Sequence, residues 1–436
     1  MTEPRRLILN VNFTNPGNHA GAWLSPEVAP WSFSTVDHYV DVARIAERGG
    51  LDAIFLSDIP SVSEQSLRFR PTLMFEPGIA LATIAAKTEH IGLIATVSAT
   101  FNEPFNVART FGTLDHASAG RVAVNIVTNT GDRVAQNYGQ KTIPDHALRY
   151  QRADEFITVL KALWSSWGEG AIIADRDNAA FYDPSRIRAI DHVGEHFSVR
   201  GPLTLPRSPQ GRPVIFQAGG SGDGRDLAAR HADAVFCIAH TPESALELRA
   251  DIHRRASAMG QAREAIRFLP GIMLIVGSTD EEARRRQREL DELVPLSIGL
   301  EWLEGNLGID IRGLDPDAPL PVDILPPVKA SHSIAAELVK TARRDKLTIR
   351  QLIQLQGSGG TIHLKLAGGP ETISDHMQHW FLSGAADGFN MNFDVLPTGV
   401  QAFADYVMPE LRKRGLVPQE PDRRHLRQRL QLAAIA

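Results

Sequence analysis

Short apolar runs and helix-periodic segments alternate along most of the chain, and no other feature limits the fold as strongly. Runs of strand character begin at Leu7, Asp52, Ile91, Val122, Val214, Ala234, Phe268 and Gly388, and all but one are followed by a helical segment before the next. Apolar spacing predicts helices such as Thr35–Arg48, striped by Val36, Tyr39, Val40 and Ala43, and the charged amphipathic segment Asp280–Leu293. Right-handed strand–helix–strand connections give a parallel sheet covered by helices, and eight such units favour closure. The expected fold class is therefore α/β, a (β/α)8 TIM-type barrel with insertions, occupying 1–436 as one domain. Two stretches break the rhythm. Asp177–Pro209 has strand-and-turn character, and 305–356 carries Pro316, Pro319, Pro321, Pro326 and Pro327, with a helix expected near Ile334–Arg344.

In such a barrel the chemistry collects just after the C-terminal ends of the strands. One of these positions stands out. Between the run Val214-Ile215-Phe216 and the helix-periodic segment ending at His231, the chain reads Gly219-Gly220-Ser221-Gly222-Asp223-Gly224. A strand, a loop nearly free of Cβ atoms and a helix N-terminus make an anion site. The backbone approaches closely, first-turn N–H groups point outward, and the helix dipole favours negative charge. Ser221 adds a hydroxyl and Arg225 a charge, so the expected guest is the phosphate of a nucleotide-like cofactor. The glycine order differs from the G-x-G-x-x-G dinucleotide fingerprint, so the loop implies phosphate without specifying chemistry.

The other strand ends supply Asn15, His19 and Trp23, then Asp58, then Thr96, Ser98 and Thr100, then Thr128, Asn129 and Thr130. A ring of hydroxyls and amides with one carboxylate suits a large planar heterocycle with amide edges, such as a flavin. It contains no Cys/His cluster at zinc spacing. Asp58 taken alone could cap the following turn, the commoner role for an isolated Asp. His146 and Tyr150, four residues apart, share one helix face.

Composition narrows the classes further. Net charge is 46 − 51 = −5, and no block of like charge suggests a nucleic-acid arm or a membrane-binding face. The single cysteine, Cys237, fits a reducing compartment and ends an apolar strand, as a buried structural thiol does. The N-terminus turns polar too soon for a secretory signal, and no apolar run approaches membrane-spanning length. The expected location is cytoplasmic.

Motifs distributed along the chain match a known family. They include His19-Ala20-Gly21-Ala22-Trp23, Ile54-Phe55-Leu56-Ser57-Asp58, Thr88-Glu89-His90-Ile91-Gly92-Leu93, Asn102-Glu103-Pro104-Phe105 and Asn125-Ile126-Val127-Thr128. Gly194-Glu195-His196-Phe197, Gln217-Ala218-Gly219 with Arg225, and Ala386-Asp387-Gly388-Phe389 continue the series. Over most of its length the chain resembles a flavin-dependent monooxygenase of the bacterial-luciferase-like superfamily. The branch is that of nitrilotriacetate, dibenzothiophene-sulfone and long-chain-alkane monooxygenases. The resemblance implies a (β/α)8 barrel that takes FMN, delivered reduced by a separate NAD(P)H:flavin reductase. With O2 it would oxygenate a small organic substrate, sulfur- and nitrogen-containing molecules included, through a C4a-peroxyflavin.

Matched position by position, Asp58, Thr96, Asn129, Tyr150, Ser221 and Gly222 would surround the flavin, with Tyr150, Ser221 and Gly222 at its phosphate. His19 matches a histidine near the reacting flavin face and is a catalytic candidate. The 305–356 stretch corresponds to an insertion expected to close over the substrate, and His332 is the catalytic candidate within it. Related barrels pair, so a homodimer or homotetramer is expected. Val124 replaces the family's usual Trp, Thr128-Asn129 its Thr-Ser, and Leu24 an arginine, while the tail after Gly415 departs from the usual ending. Two other readings share the glycine loop: hydride transfer with a deazaflavin, and a non-catalytic flavin-binding subunit. The intact ring from Asp58 to Ser221 argues against the second.

Overall fold

The computed structural model describes residues 4–435 except 30, 63–66, 68–70, 72, 261–265, 322–332, 357, 359 and 360. Eight parallel strands close into a barrel: β1 (Ile8–Phe13), β2 (Ala53–Leu56), β3 (Gly92–Ser98), β4 (Val122–Val127), β5 (Val214–Gln217), β6 (Ala234–Cys237), β7 (Arg267–Val276) and β8 (Gly388–Phe393). Each pairs with its neighbours in chain order, and β8 returns to β1 with Asn10 opposite Asn390. These are the eight runs expected from the sequence.

The side-chain alternation of a strand sets inside from outside. Along β1, Leu9, Val11 and Phe13 join the apolar layer between sheet and helices, whereas Ile8 joins the cluster in the lumen. The outer layer includes α1 (Val36–Gly49), α2 (Pro77–Ala85), α3 (Pro104–Ala117), α4 (His146–Trp164), α5 (Gly222–His231), α6 (Pro242–Ala258) and α7 (Asp280–Leu293), together with the helices Pro370–Leu382 and Met408–Lys413 that flank β8. The lumen floor is apolar, and Leu426 and Leu430 of the C-terminal segment complete it against Ala53, Ile94, Ala123 and Val214. Gly92 permits this seal: a Cβ there would lie 2.7 Å from Leu426 Cδ1.

Between β7 and β8 the chain leaves the barrel. Helices α8 (Leu296–Leu307), α9 (Ser333–Asp345) and α10 (Ile349–Leu355) pack around a core of their own that includes Leu303, Ile311, Leu338, Ile349 and Leu352. The excursion therefore starts before 305, and His332 lies outside the described residues. It returns through a ninth strand, Leu364–Gly368, that the apolar pattern did not reveal. This strand pairs with Ile272–Val276 of β7, continuing along the edge that β6 occupies only as far as Pro270. The irregular stretch before β5 contains two antiparallel pairs, Ile172–Asp175 with Ala180–Tyr182 and His192–Val193 with Ser198–Val199.

Thr279 caps α7, its Oγ1 accepting the Glu282 N–H at 3.2 Å. Thr279→Ala is expected to cost about 1 kcal/mol, read as a lower thermal midpoint. Among the described residues no helix is long and apolar enough to cross a membrane.

Candidate functional site

The C-terminal ends of the strands surround a cavity of about 470 Å³, within the range of small-molecule sites. A groove of about 500 Å³ lies elsewhere, between Gly168–Ile172 and the C-terminal segment, away from the strand-end polar residues. Barrel chemistry belongs to the strand C-termini, so the mouth cavity is the candidate site.

Its wall is rich in amides. Asn12, Asn15, Asn18 and Asn392 all line it. Asn392 Oδ1 accepts from Asn12 Nδ2 at 2.7 Å and from Asn18 Nδ2 at 3.0 Å, and Asn12 Oδ1 accepts the Ser57 hydroxyl at 3.3 Å. One layer deeper, Asn10 Nδ2 donates to Asn390 Oδ1 at 2.9 Å, and Asn125 Nδ2 donates to Thr96 Oγ1 at 3.1 Å. Sequence reasoning missed most of these asparagines. Their signal was the repeated Asn-x-Asn within two apolar strands, Asn10-Val11-Asn12 and Asn390-Met391-Asn392, which points alternate amides into the lumen.

The glycine loop forms as expected. Ser221 is the N-cap of α5, its Oγ accepting the Gly224 N–H at 3.1 Å, which leaves the Gly222 and Asp223 N–H groups without an intrahelical acceptor. Around Gly220 and Gly222 there is open space where a side chain would stand. Tyr150 reaches across from α4, its hydroxyl 3.5 Å from Ser221 Oγ. His146 sits on the same face of α4, ring centroid 4.7 Å from that of Tyr150, and its Nδ1 is 2.9 Å from Asp223 Oδ2. Arg225 departs from expectation. Its Nε donates to Gly220 O and its Nη1 pairs with Asp251 at 3.0 Å, so it braces the loop from behind.

The remaining candidates are dispersed around the rim. Asp58 is half-buried after β2, and burial, followed by the Glu76 carboxylate, pushes its carboxyl above the ordinary value. Asn129 follows β4 with φ of 50°, a left-handed turn that asparagine tolerates better than most residues, and its Oδ1 is buried without a partner. His19 is 1% exposed and is not among the residues lining the cavity. Its Nδ1 accepts the Gly21 N–H at 3.0 Å, so the ring proton is on Nε2, which donates to Asp291 Oδ1 at 3.1 Å. Burial alone would raise the Asp291 carboxyl, but hydrogen bonds from His19 and Ser358 outweigh it and hold it below the ordinary value. His19 thereby ties the loop after β1, which carries Asn15 and Asn18, to α7.

The fold agrees with what the whole chain resembles. The luciferase-like monooxygenase profile matches residues 12–386. The chain belongs to the luciferase-like monooxygenase family. Among curated relatives of this luciferase-like protein is the N-acetyl-S-(2-succino)cysteine monooxygenase of Bacillus subtilis (strain 168), 39% identical over 98% of this chain and 97% of the relative. The nitrilotriacetate monooxygenase component A of Aminobacter aminovorans is also 39% identical, with the same coverage of both chains. The crystal structure of DmoA from Hyphomicrobium sulfonivorans superposes on this luciferase-like fold with a TM-score of 0.87 at 33% identity, covering 98% of this chain and 92% of that one.

Proposed function

We propose that this protein is the oxygenase component of a two-component monooxygenase. It takes reduced FMN from a separate NAD(P)H:flavin reductase and uses O2 to oxygenate a small organic molecule. When bound, reduced FMN supplies the electrons and the centre that reacts with O2. The carrying observation is the open, side-chain-free cradle at Gly220 and Gly222, roofed by Ser221 and Tyr150, on the rim of a barrel whose mouth is lined by amides. Two first-turn N–H groups, two hydroxyls and a helix N-terminus fit a phosphate monoester. Asp58, Thr96 and Asn129 stand around the ring position in this reading, and the orphaned Oδ1 of Asn129 offers an acceptor to a heterocycle N–H.

The chain's own residues exclude water and hold geometry. Trp302 of α8 forms part of the cavity wall, which supports reading the helical excursion as the cover of the site. Excluding water keeps flavin oxidation coupled to product. We place the protein in the cytoplasm as a homodimer or homotetramer.

Anaerobic titration with reduced FMN and, separately, with a reduced deazaflavin tests the cofactor. Tight binding of the deazaflavin alone would move the reading to hydride transfer. Tight FMN binding without oxygen-dependent product, with a reductase and a panel of sulfides, sulfones and amines, would favour a non-catalytic subunit.

His19 enters as a positioning group. His19→Ala is expected to leave reduced-FMN binding within about 3-fold of wild type, because the two hydrogen bonds lost, from Gly21 and to Asp291, belong to a ring that does not line the cavity. The fraction of flavin oxidation that ends in product should fall several-fold, read as hydrogen peroxide released per product formed. Unchanged coupling would remove His19 from the scheme.

A further inference from the structure

His363 lies in the cavity wall and has no role in the site as described so far. It immediately precedes the strand Leu364–Gly368, which lies beside β7 beyond the end of β6 and so brings it to the barrel rim. Its ring fills the place of a missing side chain. A Cβ on Gly271 of β7 would lie 2.3 Å from His363 Nδ1. On another side it leans on Phe236 of β6, with ring centroids 5.3 Å apart and planes 32° from parallel. The residue is 8% exposed, and its backbone N–H is held by Thr361 Oγ1 at 3.1 Å.

The two ring nitrogens differ. Nδ1 is buried without a partner, and Nε2 makes no hydrogen bond among the described residues. An orphaned buried N–H is rarer and costlier than an orphaned lone pair, so the single proton of the neutral ring belongs on Nε2, the nitrogen left to the cavity. Burial, and then the nearby His240, push the ring down to about 4, so it stays neutral at physiological pH. No described residue lining the cavity carries a charged side chain.

We propose that His363 is the specificity-determining hydrogen-bond donor of the site, taking an acceptor oxygen of a neutral substrate through Nε2–H. The proposal rests on the oxygenase reading of the same cavity. Failure of that reading shows as wild-type protein that does not bind reduced FMN. Failure of the His363 assignment leaves flavin binding intact.

The test uses full-length, FMN-loaded protein labelled with 15N-histidine, with the His363 signals assigned by their loss in His363→Gln. Around neutral pH the expected pattern is the neutral, Nε2-protonated tautomer. Titration with dibenzothiophene sulfone and dimethyl sulfone should move the His363 signals. The parent sulfides, which lack the sulfone oxygens, should not. Binding of the responding sulfone should weaken about 10-fold in His363→Phe, the loss of one buried hydrogen bond, and recover in His363→Gln, which retains a donor. Thermal melts of both variants check that packing over Gly271 survives. A ring protonated on Nδ1, His363 signals that neither sulfone moves, or sulfone binding unchanged in His363→Phe would each overturn the proposal. So would a His363→Phe variant that loses reduced-FMN affinity instead, because the ring would then serve the flavin.

Discussion

Asp233→Asn is expected to cost about 3–5 kcal/mol, the range for removing one member of a buried ionic cluster. The Asp233 carboxylate accepts from Arg212 at 2.8 and 3.1 Å, from Arg427 at 3.1 and 3.4 Å, and from the Ile215 N–H at 2.9 Å. One side chain thus joins β5, the start of β6 and the C-terminal segment. Without its charge, two buried guanidiniums repel each other and Lys161, whose ammonium is already pushed down to about 8 by burial and then by Arg212. Burial of Asp233 would raise its carboxyl, but the two arginines outweigh burial and hold it far below the ordinary range. A depressed carboxyl stabilises the fold fully above the unfolded value, about 4, and loses that contribution as pH falls further. The gap between wild type and Asp233→Asn in urea-melt stability should be largest near neutrality and narrow below about pH 4. A gap under about 1 kcal/mol, typical of an exposed ion pair, would show that the cluster is solvated.

Gly219→Ala should weaken reduced-FMN binding by about 10- to 100-fold, the loss of one or two charge-assisted hydrogen bonds to phosphate. A Cβ at 219 would lie 2.5 Å from Gln217 Nε2, 2.8 Å from Gly224 Cα and 3.2 Å from the Tyr150 hydroxyl. The loop must therefore move away from both the helix and the tyrosine. Gly224→Ala is the informative companion. In an ordinary helix that change stabilises by up to about 1 kcal/mol, whereas here the new Cβ would meet Gly219 Cα at 2.8 Å. Parallel titrations with reduced FMN and reduced riboflavin separate phosphate from ring. Both variants should lose FMN affinity and keep the weaker riboflavin affinity. Equal loss for both ligands would place the phosphate elsewhere.

The barrel was legible because its signals are local. Each strand is a short apolar run, and each helix carries its stripe and boundary within a dozen or so residues, as Asp280–Leu293 does. The glycine loop was legible for the same reason. What escaped depends on distant partners. Leu296–Leu307 has Gly299 in its interior and no side-chain cap, and its glycine makes sense only where Ile353 packs against it. Leu364–Gly368 is a half-buried strand that exists because β7 outruns β6. His363 is an unremarkable histidine until Gly271, far away in sequence, leaves it a seat. The pairing of Arg225 was hidden for the same reason, because its partner, Asp251, comes from α6.

The seal formed by Leu426 and Leu430 has a consequence for biosynthesis. Translation reaches these residues only after all eight strands have been made, so a nascent chain can pair its whole sheet while the greasy interior remains open at one end. Arg427, between them, is also the last partner that Asp233 acquires. Closing the barrel floor thus waits on a short segment that lies beyond β8 in the chain and docks onto a sheet already able to pair.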